Sequence, residues 1–87
     1  MNNRHRDTLE AIFTHPTPNN IRWDDAVSLF KALGATIARL REGSRVAILT
    51  ATRTGIYHRP HLGSTIGRAT VRDMMRQLRE EGIGPGK

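Results

Sequence analysis

Cysteine is absent from the 87 residues. No disulfide framework can form, and no thiolate metal site. Small secreted domains are commonly stapled by disulfides, so a cytoplasmic location is the expectation. No stretch approaches the ~18 consecutive apolar residues of a membrane span. The opening residues, Met1-Asn2-Asn3-Arg4-His5-Arg6, lead into no apolar run of the kind a signal peptide carries. Aromatic residues are few, with one Trp, one Tyr and two Phe, and apolar residues make up 37%. A domain this small buries only roughly 60–65% of its unfolded surface, so the core is modest and a partner protein can add to its stability. Walker loops, nucleophile elbows and dinucleotide fingerprints are also missing. Gly63-Ser64-Thr65-Ile66-Gly67 is flanked by glycines but departs from the phosphate-loop pattern.

What the chain has is positive charge, unevenly placed. The net charge is +6, and twelve of the fourteen basic residues are Arg. Residues 1–43 hold six basic against five acidic side chains, a net of +1, while residues 44–87 hold eight against three, a net of +5. Arg presents a planar donor fork that matches phosphate and stacks on bases. The partner this predicts is a polyanion, above all nucleic acid. An acidic protein surface is the alternative.

Hydrophobic spacing predicts the elements. Residues 4–14 read as a short helix with Leu9, Ile12 and Phe13 on one face. The run His15-Pro16-Thr17-Pro18-Asn19-Asn20 ends it. A second helix begins near Asp24, with Asp24 or Asp25 as its cap, carries Ala26, Leu29, Phe30 and Leu33 on one face, and stops at Gly34. The period then changes to two. Residues 35–42 and 45–50 read as strands joined at Gly43-Ser44, residues 51–55 as a turn ending in Gly55, and residues 56–59 as a third strand. Short turns make the three strands an antiparallel meander. A final helix over 66–81, capped by Ser64 or Thr65, carries Val71, Met74, Met75 and Leu78 as its apolar stripe. The fold class is therefore α+β, a two-layer sandwich with helices on one face of the sheet. Residues 1–87 form a single domain: an N-terminal helix and loop (1–20), a compact core (21–83) and a tail (84–87).

Two clusters bear on chemistry. On the last helix, Arg68, Arg72, Arg76 and Arg79 lie within about 80° of one another, a surface able to track phosphates. An ordinary solvated face, with Arg76 and Glu80 as an i, i+4 pair, is the competing explanation. The second cluster is Tyr57-His58-Arg59-Pro60-His61: two acid/base groups, a phosphate clamp and a stacking ring. RNA cleavage without a metal needs these types. A base removes the 2′-hydroxyl proton, an acid protonates the leaving 5′-oxygen, and a cation stabilises charge on the phosphoryl oxygens. His serves either role, its ordinary pKa being about 6.5. His5 and His15 have no such company. Too few further ligands stand near His58 and His61 to make a zinc site.

The order and spacing of several short stretches resemble the HicA toxin family, small ribonucleases of toxin–antitoxin pairs. They are Thr8-Leu9-Glu10-Ala11-Ile12-Phe13, Asn20-Ile21-Arg22-Trp23-Asp24-Asp25, Leu33-Gly34-Ala35, Arg41-Glu42-Gly43-Ser44-Arg45-Val46, Tyr57-His58-Arg59-Pro60-His61, and Val71-Arg72 with Leu78 and Glu81-Gly82-Ile83. The resemblance is to a longer branch with an extra N-terminal helix. It implies a double-stranded-RNA-binding-like fold, cleavage of mRNA without metal or cofactor, and a HicB-type antitoxin that masks the toxin. One position departs from it. Compact members carry Gly-Ser-His-His at the turn into the second strand, the His there being catalytic, and this chain has Gly43-Ser44-Arg45-Val46. Arg cannot act as a general base, since its pKa stays above about 12. Either catalysis has moved to His58 or His61, or the chain binds RNA, or a protein, without cutting. The expected RNA-binding set is Arg45, Arg53, Tyr57, Arg59, Arg68, Arg72 and Arg76.

Overall fold

The computed structural model describes residues 2–41, 43–60 and 64–86. Its elements run α1 (Asn3–Ile12), α2 (Trp23–Ala32), β1 (Thr36–Arg39), β2 (Arg45–Leu49), β3 (Thr54–His58) and α3 (Arg68–Glu80). This is the α+β order expected from the sequence. The strands form one antiparallel sheet in the order β1-β2-β3. In register, Ile37 faces Ile48, and Val46 faces Arg39 on one side and Tyr57 on the other. No helix among the described residues is long and apolar enough to cross a membrane.

Alternation along the strands divides the sheet into two faces. Val46, Ile48 and Tyr57 point inward and join Phe30, Val71, Met74 and Leu78 in the hydrophobic core. Among the described residues no helix covers the other face: Ile56 is 46% exposed and Leu49 38%. Helix α2 packs on β1, α3 on β3, and α1 on both helices. Leu9 and Ile12 of α1 are buried in the same cluster. Asn2 caps α1, its side chain accepting from the His5 N–H at 2.8 Å. His5 Nε2 meets Ser28 Oγ of α2 at 2.7 Å, a packing role for that histidine.

Helix α2 ends as its sequence predicts. Gly34 has φ +95°, its N–H donates to the Lys31 carbonyl at 3.0 Å, and the Ala35 N–H donates to the Phe30 carbonyl at 3.0 Å. This is a Schellman closure, which needs a residue free of the left-handed penalty.

The helix starts differ from expectation. Neither Asp24 nor Asp25 caps α2. Arg22 holds that position without a side-chain bond, and both aspartates sit in the first turn, where they complement the helix dipole. Likewise α3 begins after Gly67 with no side-chain cap, so Ser64 and Thr65 do not serve. The reason is long-range: Thr65 pairs with Arg22 in an antiparallel bridge, and the Ile66 N–H donates to the Ile21 carbonyl at 2.9 Å. That pairing holds the chain extended up to Gly67. The first strand is also shorter than expected, ending at Arg39.

Gly55 is a further correction. It stands inside β3, paired with Ile48, and not in the preceding turn. A Cβ there would run into the Gln77 side chain and the Tyr57 ring. Glycine is required by that close approach rather than by a turn.

Candidate functional site

His58 and Arg45 are directly opposed, the last pair of the β2–β3 ladder. Both are exposed. Directly opposed residues hold their Cβ atoms roughly 4.5–5.5 Å apart, so imidazole and guanidinium share one patch. They lie on the face that carries no helix. One residue further on, the Arg59 N–H donates to the Ser44 carbonyl at 2.6 Å, fixing the strand end against the β1–β2 turn. Gly43, with φ +63°, closes that turn. Arg45 and Arg59 both line a hollow of about 50 Å³ at this corner, together with Arg39 and Ser44.

The run Tyr57-His58-Arg59 therefore does not act as one cluster. Alternation sends its middle member to the open face and Tyr57 to the other. Tyr57 is 6% exposed, and its hydroxyl donates to Gln77 Oε1 at 2.6 Å. Burial pushes the phenol up to about 12, only partly countered by the Arg53 charge. Tyr57 is thus a core residue and offers no ring to a base, contrary to the sequence reading. His61 lies outside the described residues.

Arg53 is a second correction. It lies at the opposite end of the sheet from His58, about 17 Å away by strand rise. There it pairs with Glu80 at 3.2 Å. The neighbouring Thr52 donates its N–H to Glu81 at 2.9 Å, and its hydroxyl donates to the same carboxylate oxygen. Those bonds, the side-chain one first, hold the Glu81 carboxyl below its ordinary pKa. Arg53 therefore belongs to the contact between the β2–β3 turn and the end of α3.

The arginines of α3 are all exposed, as the helical wheel predicts, but unequally engaged. Arg68 donates from Nε to the Thr17 carbonyl at 3.0 Å and ties down the loop before α2. Arg76 pairs with Asp73, not with Glu80. Arg72 makes no ion pair or hydrogen bond among the described residues. The C-terminal end of α3 meets the β2–β3 turn, so its N-terminal end, with Arg68 and Arg72, points toward the His58 end of the sheet.

Two residues escaped the sequence reading. Gln77 is fully buried, donating from Nε2 to the Ile48 carbonyl at 2.9 Å and to Thr50 Oγ at 3.0 Å while accepting from Tyr57. A lone amide within an apolar helix stripe was the available signal. Arg39 shares the corner hollow with Arg45 and Arg59. Its signal was the two-residue spacing from Ile37, which puts it on the helix-bearing side at the strand end.

An exposed imidazole beside a guanidinium is an arrangement that can transfer a proton at one oxygen while stabilising charge on another. No curated protein and no solved structure gave a significant match to the chain. Residues 23–79, from the start of α2 nearly to the end of α3, match the family described as HicA toxin of bacterial toxin-antitoxin, with α1 outside the match. That match covers well over half of the chain, and the chain belongs to the HicA toxin family.

Proposed function

We propose that the chain is a toxin-type endoribonuclease that binds and cleaves mRNA, without a metal, and is neutralised in the cytoplasm by a HicB-type antitoxin. The observation that carries this reading is the Arg45–His58 pair on the open sheet face of a HicA-family chain. His58 is the acid/base group. In the cleavage step a base takes the proton of the ribose 2′-hydroxyl, the 2′-oxygen bonds to phosphorus, and the bond to the 5′-oxygen breaks as an acid protonates that oxygen. His58 supplies one of these transfers and His61 is the candidate for the other. Arg45 and Arg59 bind the phosphoryl oxygens, and Arg68, Arg72 and Arg76 hold the backbone on either side.

One feature favours a second reading, RNA binding without cleavage: the sequence has Gly43-Ser44-Arg45 where the resemblance would lead one to expect a catalytic histidine. Induced expression with and without a HicB-type partner, followed by a denaturing gel of RNA incubated with the purified chain, separates the two. Growth arrest relieved by the partner, with discrete RNA fragments, supports the nuclease. Salt-sensitive binding with intact RNA supports the second reading.

A further inference from the structure

On the helix-bearing side of the same sheet corner lies a larger cavity, of about 220 Å³, between α2 and the end of β1. That is well above the ~30 Å³ a water occupies in the liquid. Its floor is apolar, formed by Val27, Ile37 and Val46. Its rim carries Lys31, Arg39 and Arg59, with Asp24 beside them. None of these four is in an ion pair among the described residues. Three cations over low-dielectric walls concentrate anions, and two of them bear the fork that fits phosphate.

We propose that Lys31 and Arg39, with Arg59 shared between the two sites, form a subsite for a backbone phosphate of single-stranded RNA, adjacent to the phosphate bound at Arg45, and that Asp24 accepts a hydrogen bond from a ribose 2′-hydroxyl there. This rests on the RNA reading above. The cavity shares Arg39, Val46 and Arg59 with the smaller hollow that Arg45 lines, so the two adjoin around the sheet end. A strand passing over that end meets the subsite and the Arg45–His58 pair in succession. Asp24 repels a peptide carboxylate and an RNA phosphate alike. RNA, however, carries beside every phosphate a donor hydroxyl from which Asp24 can accept, whereas an acidic side chain brings none, and this favours RNA as the occupant.

The test uses the full chain carrying His58→Ala, so that bound RNA stays intact, with an eight-nucleotide oligoadenylate and its DNA counterpart. Trp23, the sole tryptophan, lines the cavity and reports its occupancy by fluorescence. RNA should change its emission saturably. Adding Lys31→Ala and Arg39→Ala together should weaken binding roughly tenfold or more and flatten the log–log salt slope by about 0.7, as loss of one neutralised phosphate requires. Adding Asp24→Ala should shrink the preference for RNA over DNA. Circular dichroism checks that each variant is folded. Unchanged affinity and slope in the folded double variant overturn the subsite and leave the nuclease reading standing. So does a double variant that loses an antitoxin while keeping RNA, since the cavity then serves a protein. Failure of the parent to bind RNA at all overturns both.

Discussion

Tyr57 and Gln77 are joined inside the core, the phenol donating to the amide oxygen at 2.6 Å between β3 and α3. Tyr57→Phe leaves that buried oxygen without its donor and should cost about 1–3 kcal/mol in urea unfolding. RNA affinity should not change, because the ring is not at the surface. The raised phenol also fixes a pH dependence. Its ordinary pKa of 10.0 becomes about 12 on folding. The unfolded chain therefore loses this proton first. The stability the neutral phenol provides is complete below the unfolded value and is lost as pH rises through the folded one. Tyr57→Phe should flatten that alkaline decline.

Gly55 faces the same pair. Gly55→Ala puts a methyl group against Gln77 and Tyr57, and should destabilise the fold by about 1–3 kcal/mol. If Gly55 served a surface turn, thermal unfolding of the variant would shift little.

Helix α1 lies outside the family match yet contributes to the core. Ile12 is 1% exposed, so Ile12→Ala should cost about 2–5 kcal/mol by chemical denaturation. A helix that only contacts an antitoxin would show no such loss in the isolated chain.

The fold was largely legible, and the reason lies in local signals. The helical stripes of α2 and α3, the stop of α2 at Gly34 and the change to period two after it are all carried by residues near one another in sequence. The misreadings came from distant partners. Gly55 looks like a turn glycine because its neighbour Gln77 is 22 positions away. Thr65 looks like a cap because its partner Arg22 is 43 positions away. The candidate site was half legible for the same reason. His58 and Arg59 stand out in the sequence, but which face each occupies depends on the register with β2. That register pairs His58 with Arg45 and buries Tyr57.

Arg45 is the proposed phosphate ligand, and a change there separates binding from chemistry. Arg45→Gln should weaken RNA binding roughly tenfold, one charge-assisted contact being worth about 1.5–3 kcal/mol. Fluorescence anisotropy at fixed salt measures it. Retained affinity in a folded variant would remove Arg45 from the interface.

Cleavage at His58 is the central claim, and single-turnover cleavage of a labelled mRNA by the wild-type chain and by His58→Ala, with EDTA present, tests it most directly. The wild type should give discrete fragments despite the chelator. The variant should bind the same RNA and cut it at least about 100-fold more slowly, as loss of one proton-transfer group requires. Equal cleavage by the two proteins, or no cleavage by either, would contradict the account.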